Sequence, residues 1–322
     1  MTFHGQVDGM YTAFCHTLPA ALREFGRTLP HRLKLAPVPD VPWSQVFSNE
    51  VTLAAPLLVA EGMPHVHPAT VRDATLAHLL AIIDAFGTDR IEDKQVTPSS
   101  DLCEVLRRVR RARDQALARV CPGDNDLAVD FARAENEMLR AIRMERGIMK
   151  YGDAVDFARY EVISLGKQAV GFPACLALAC AAHWDEGPRK ALRRMLASVW
   201  LALQFQDDVI DWEDDLKRGG AWAVALAQAA RAEIPARERP TVRNPIRKLV
   251  HESGVMARML GESHRNYRAA RLRAQALGLS QLASWAKVKE ANAAHLARME
   301  RDHAGYAVRM HALAPWAAEV LA

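Results

Sequence analysis

Paired cysteines, strand-like alternation and long apolar runs are all missing from this sequence. Its five cysteines (Cys15, Cys103, Cys121, Cys175 and Cys180) are odd in number and never stand at CxxC spacing. That argues against a disulfide framework or a zinc site and leaves inert thiols as the expectation. No apolar run approaches the roughly 20 residues that a bilayer-spanning helix needs. The strongest run, VTLAAPLLVA at 51–60, reads as core helix, and no membrane span is expected. The opening MTFHGQVDGMYTAF lacks the charged, apolar and small-residue segments of a secretory signal, so a cytoplasmic location is expected. No Asn-Gly or Asp-Gly turn joins two alternating runs, which removes the usual hairpin signal. Aromatic residues are scarce, and none is interleaved with the densest basic run, RRVRRAR at 107–113. That run therefore reads as a solvated helix face, and no nucleic-acid partner is expected.

What is present is helical periodicity in a chain of 322 residues, half apolar and a quarter charged, long enough to bury a substantial core. The 3.6-residue pattern predicts helices over 8–25, 43–61, 69–93, 99–120, 125–150, 153–182, 187–217, 220–232, 242–277 (one or two) and 279–308. Breaks are expected at LAPVPDVP, MPHVHP, VTPSS, CPGDND, DEGP, ARERP and HALAP, where Pro and Gly interrupt the ladder. Gly171 and Pro173 fall inside the 153–182 segment and predict a kink. This is an all-α chain of ten or more helices. With no fixed-period repeat and no long flexible linker, 1–322 is expected to form one domain.

The chemistry gathers in two acidic stretches. FQDDVIDWEDDLKRGG, 205–220, places six acids after the apolar LASVWLAL. If one helix carries it, Asp207, Asp211 and Asp215 share a stripe, like charges repel, and the helix C-terminal dipole disfavours them. An arriving cation offsets that double penalty. Oxygen ligands without His or Cys select Mg²⁺ or a similar hard ion, commonly completed by waters and phosphate oxygens. The bland alternative, acids on a solvated helix end, sits less easily with Trp200, Leu201, Leu203 and Phe205 immediately before them. The second stretch, LAHLLAIIDAFGTDRIEDKQ at 76–95, also runs from apolar helix into acids, with Asp89 and Asp93 on one face.

These residues resemble a known family. FQDDVIDWEDDLKRGG is similar to the second aspartate-rich motif of trans-isoprenyl diphosphate synthases, with Phe205, Gln206, Asp207, Asp208, Asp211, Asp215 and Lys217 in the matching places. Read as DWEDD, the same stretch resembles a motif of squalene and phytoene synthases. DRIED takes the place of the first DDxxD motif, with Asp89 and Asp93 at its ends and Arg90 replacing its second aspartate. GKQAVGF, 166–172, resembles the segment whose lysine contacts diphosphate, which puts Lys167 in that role. The resemblance covers about residues 70–220.

It implies the isoprenoid synthase fold, a helical bundle around a central cavity. It also implies Mg²⁺, three ions with the substrate diphosphate, held by Asp89, Asp93, Asp207, Asp208, Asp211 and Asp215. Of these, Asp89, Asp93, Asp207 and Asp211 carry catalysis. Arg159, Lys167, Lys217 and Arg218 are the candidate diphosphate donors. Phe86, Tyr160, Phe172, Phe205 and Trp222 are the candidate cavity lining, and Tyr267, in RNYRAARLR, is a candidate to reach over its mouth. The basic Gly-Gly-Lys-x-Arg-Pro and Arg-Arg-Gly segments that bind isopentenyl diphosphate in chain-elongating members are missing: only PHRLKLAP and DKQVTPSS stand in their regions. The expectation is a class I terpene synthase using one allylic prenyl diphosphate, C15 or C20, with a homodimer left open. The alternatives are a prenyltransferase of the same fold, elongating or squalene/phytoene-like, and a non-catalytic partner subunit, which Arg90 favours.

Overall fold

The computed structural model describes residues 3–47, 49–123, 126–152, 155–232 and 245–320; the side chains of 126–128, 232, 245, 248 and 303–320 are outside the description. Helices and no strand occur among these residues. In chain order come α1 (Phe3–Thr17), α2 (Ala20–Arg27), α3 (Leu29–Arg32), α4 (Trp43–Val46), α5 (Glu50–Val59), α6 (Pro68–Glu92) and α7 (Ser100–Val120). There follow α8 (Asp126–Tyr151), α9 (Phe157–Lys167), α10 (Pro173–Ala181), α11 (Glu186–Ile210), α12 (Trp212–Arg218) and α13 (Trp222–Ala232). The last three are α14 (Pro245–Glu252), α15 (Val255–Ala276) and α16 (Ser280–Val320).

Several expected helices are split, each for a local reason. Pro19 stands in an extended conformation (φ −50°, ψ 145°) without an N–H to give, so 8–25 becomes α1 and α2. Gly254, at φ +72°, separates α14 from α15 in a backbone region that suits glycine. The 153–182 segment ends at Lys167, passes through a single turn at Ala169–Gly171 and restarts at Pro173, a favoured first helical residue. In the other direction, α16 runs past the expected stop at HALAP to Val320. An interior proline costs a hydrogen bond and bends a helix more readily than it ends one.

The chain divides into two compact units, one of residues 1–139, 167–193 and 274–282, the other of 140–166, 194–273 and 283–322. The first is built on α6, against which α5, α7 and α10 pack. Pro68 begins α6 behind a His67 cap, and Ser99 caps α7 by accepting from the Leu102 N–H at 3.2 Å. From Asp73 to Asp84 nearly every α6 residue is buried, as befits a helix apolar on all sides. Leu79, Leu80 and Ile83 are fully enclosed, each contributing about 1.5–3 kcal/mol of transfer free energy. Gly87 lets α7 approach closely, since a Cβ there would meet Leu106 at 2.7 Å.

Burying α6 carries Asp73, Thr75, His78 and Asp84 into the interior; Thr75 donates to the Val71 carbonyl of its own helix, and neighbouring helices bond the other three. Arg119 of α7 holds Asp73 at 2.9–3.0 Å, and His78 Nε2 donates to the Thr52 carbonyl of α5 at 3.0 Å. Arg110 grips both oxygens of Asp84 at 2.8–2.9 Å. This corrects the reading of RRVRRAR as a solvated face at Arg113, while Arg107, Arg110 and Arg111 are exposed. Arg107 and Arg108 do pair with Glu104 of their own helix, but Arg113 is 5% exposed and meets Asp84, Asp114 and Glu135.

In the second unit, Ile148, Tyr160, Phe205, Trp212, Trp222 and Met259 belong to one apolar cluster drawn from α8, α9, α11, α12, α13 and α15. Gly220 lies against α8, where a Cβ would meet Met149 at 2.6 Å.

Burial lowers the His78 pKa from 6.5 to about 4. The unfolded chain therefore takes up a proton as pH falls below 6.5, while the folded chain refuses it until about 4. Stability is fully present above that window and is lost as pH falls through it, by on the order of 3 kcal/mol. Urea unfolding across the window checks this: the decline is expected in the parent chain and is expected to flatten in His78→Gln.

Candidate active site

The first acidic stretch closes α6. Asp89 is half-buried and Asp93 exposed; the Asp93 N–H donates to the Asp89 carbonyl at 2.8 Å, and Lys94 turns the chain at φ +56°. Arg90, the residue that departs from the family pattern, bonds Gln95 just beyond the helix. One turn earlier, Arg110 also donates to Thr88 at 3.2 Å, so α7 braces the end of α6. Phe86 packs on Phe47 with centroids 4.6 Å apart. Lys167, at the end of α9, is half-buried, and Phe172 is buried beneath the Arg193 guanidinium at 5.7 Å. All of these belong to the first unit.

The second stretch belongs to the other unit and does not form one continuous helix. α11 ends at Ile210, Asp211 takes φ −100° and ψ 6°, and α12 begins at Trp212. The carbonyl of Asp211 accepts from the Asp214 and Asp215 N–H groups at 2.9 Å, opening the new helix. This corrects the expected three-carboxylate stripe and its electrostatics. Glu213, Asp214 and Asp215 occupy the first turn of α12, where the helix dipole favours acids rather than penalising them. Only Asp207 and Asp208 remain near a helix C-terminus.

Those two differ sharply. Asp207 is exposed, as is Asp211, whereas Asp208 is 5% exposed. The Tyr160 hydroxyl donates to Asp208 at 2.6 Å and Gln204 Nε2 donates to its other oxygen at 2.9 Å. Burial first, then the Asp208 charge, pushes the Tyr160 phenol well above its usual range, so it stays a proton donor. Tyr160 is held by Phe205 at 4.6 Å and, edge-on, by Trp222 at 5.0 Å, and Trp222 donates its indole N–H to Glu145 at 2.5 Å. Tyr160, Phe205 and Trp222, expected as cavity lining, are thus packed into the core of this unit.

Tyr267 is also buried: it stacks edge-on with Trp285 at 5.7 Å and donates to Gln206 at 3.2 Å, which corrects the expectation that it reaches over an opening. Burial, then the nearby Asp207 charge, raises its pKa.

The candidate diphosphate donors of this unit lie on its surface. Lys217 pairs with Asp214 at 2.7 Å and Arg218 with Asp215 at 3.0 Å, both exposed or half-exposed contacts within α12. Arg159 is exposed on the first turn of α9, its N–H accepted by Asp156 at 2.7 Å. Asp211 lines an open cleft of about 860 Å³ whose walls include Ile210, Trp212, His251 and Met256. The guanidinium of Arg258 stacks on Phe157 at 3.9 Å, a cation that sequence patterning did not single out because its aromatic partner is about 100 residues away in the chain.

Among the described residues, no three His, Cys, Asp or Glu side chains form a ready-made metal cage. The donor set nonetheless fits Mg²⁺. Asp207 and Asp211 are hard oxygen donors open to solvent one turn apart, and Mg²⁺ takes one or two carboxylates and completes its shell with waters and phosphate oxygens.

No family model and no curated protein matches this chain. Its fold is shared with the crystal structure of a polyprenyl synthetase from Streptomyces coelicolor A3(2), at a TM-score of 0.67 and 13% identity, over 89% of this chain and 97% of that one. The chain has the isoprenoid synthase fold. No single described helix is long and apolar enough to cross a membrane, although 157–167 and 169–181 together reach that length as a bent pair.

The Asp84 contacts predict a large stability effect. Removing the carboxylate in Asp84→Ala takes away the partner of Arg110 while Arg113 keeps Asp114 and Glu135, and losing hydrogen bonds to a buried charged group costs about 1.5–3 kcal/mol. Urea denaturation is expected to show that loss, against less than about 1 kcal/mol for Asp214→Ala, which breaks only an exposed pair.

Proposed function

We propose that this chain is a Mg²⁺-dependent enzyme that ionises one allylic prenyl diphosphate, C15 or C20, in the manner of a class I terpene synthase. The observation that supports it most directly is the exposed pair Asp207 and Asp211 at the α11–α12 break, on a fold shared with a polyprenyl synthetase. Bound Mg²⁺ neutralises charge on the departing diphosphate, the kind of electrostatic stabilisation that is usually the largest catalytic contribution.

The protein residues then have distinct tasks. Asp207, Asp211 and Asp215 would hold metal, as would Asp89 and Asp93, three ions in all, and 1–322 is read as one domain. Arg159, Lys167, Lys217 and Arg218 donate to the diphosphate oxygens. For Lys217 and Arg218 this means exchanging Asp214 and Asp215 for phosphate, at little cost because exposed ion pairs contribute at most about 1 kcal/mol. Phe86 and Phe172 offer ring faces to the allylic cation. Tyr160, Phe205 and Trp222 serve this reading as the rigid backing of the acidic motif.

A prenyltransferase is the second reading, favoured by the polyprenyl synthetase likeness and opposed by the missing Gly-Gly-Lys-x-Arg-Pro and Arg-Arg-Gly segments. A non-catalytic subunit is the third, favoured by Arg90 in the first acidic stretch.

Incubating the purified protein with C10, C15 and C20 allylic diphosphates, with and without isopentenyl diphosphate and Mg²⁺, separates them by mass spectrometry. The expected products are inorganic diphosphate and a hydrocarbon or alcohol from one substrate, dependent on Mg²⁺ and lowered about a hundredfold or more in Asp207→Asn. Consumption of isopentenyl diphosphate contradicts the first reading, and no turnover of any substrate favours the third.

A further inference from the structure

Adjacent residues of a helix point about 100° apart, so fixing the direction of one side chain fixes its neighbours. Asp208 is fixed from two sides. The Tyr160 hydroxyl reaches one carboxylate oxygen at 2.6 Å, and Gln204 Nε2 reaches the other at 2.9 Å from the preceding turn of α11. All three side chains are buried, Tyr160 completely. Tyr160 comes from α9, and its ring is wedged between Phe205 and Trp222, the latter tied to Glu145 of α8. The site where this anchor acts is mechanically exposed to change, because α11 ends two residues later at Ile210 and the backbone departs from helical geometry at Asp211. A last turn next to a break has no continuing helix to hold its rotation.

We propose that Tyr160 is a positioning residue: through Asp208 it sets the rotation of the last turn of α11, so that Asp207 and Asp211 face the metal and Asp208 serves as anchor rather than ligand. This inference rests on the metal-binding role assigned above to Asp207 and Asp211. It divides the work within one motif. The inward aspartate is satisfied by two protein hydrogen bonds, and its outward neighbours Asp207 and Asp211 are exposed to solvent.

The test uses Mn²⁺ as a spectroscopic stand-in for Mg²⁺, titrated by EPR into the full-length chain with inorganic diphosphate present. Thermal unfolding of each variant is measured in parallel. The parent chain is expected to bind Mn²⁺ and Asp207→Asn to lose most of that binding. Tyr160→Phe removes a single hydroxyl and is expected to weaken binding about tenfold in protein that remains folded. Asp208→Asn keeps the shape of the anchor and is expected to lose less than Asp207→Asn does. Where Tyr160→Phe falls short of folding, Gln204→Met removes the opposite donor and is expected to weaken binding in the same direction. Parent-like Mn²⁺ binding by Tyr160→Phe, with only a lowered unfolding temperature, overturns the inference and leaves Tyr160 as core. Equal losses in Asp208→Asn and Asp207→Asn also overturn it by making Asp208 a ligand. Failure of the parent chain to bind Mn²⁺ overturns the metal-binding reading itself, and this inference with it.

Discussion

A carboxylate leaves water only where protein donors replace its hydration, and the interior helices of this chain are tied to their neighbours through that requirement. Asp73 and Asp84 bind α6 to α7 through Arg119, Arg110 and Arg113, and Asp208 binds α11 to α9 through Tyr160. Apolar burial supplies most of the driving force for both units, but it is non-directional. The buried acids add direction, because each contact admits one register of one helix against another. In each acidic stretch a buried aspartate thus stands close to more accessible ones: Asp84 before the half-buried Asp89 and the exposed Asp93, and Asp208 beside the exposed Asp207 and Asp211.

Much of the helical layout was legible in the sequence. The spans 69–93, 99–120 and 125–150 differ from α6, α7 and α8 by at most one residue at either end, because caps such as Ser99 and strong apolar periodicity mark them. The break at Asp211 was not legible. No Pro or Gly marks it, and a run of acids reads as continuous helix until the carbonyl of Asp211 is seen to start a second one. Within the basic run at 107–113, Arg113 misled for a related reason: a guanidinium long enough to reach another helix looks, in sequence, like one that reaches solvent. Arg113 finds its acids 29 residues back on α6 and 22 ahead on α8, separations that no helical period reports.

The candidate site shows the same division. Sequence spacing pointed to the acids as candidate residues, and the resemblance to isoprenoid synthases gave them expected roles. Spacing alone does not separate Asp207 from Asp208, since adjacent acids are equivalent in a one-letter string. Their difference is set by the position of Tyr160, 48 residues away. Likewise Tyr160, Phe205 and Trp222 lie near the acids in sequence or in space, yet they pack on one another and hold the motif from behind.

The claim on which the functional reading depends is that Asp207 and Asp211 hold divalent metal together with diphosphate. Crystals grown with Mn²⁺ and inorganic diphosphate test it directly by anomalous scattering. Peaks within coordination distance of Asp207 and Asp211, bridged to diphosphate oxygens, are the predicted result. Diphosphate bound without metal at either residue, or metal seated only on surface acids elsewhere, would contradict it.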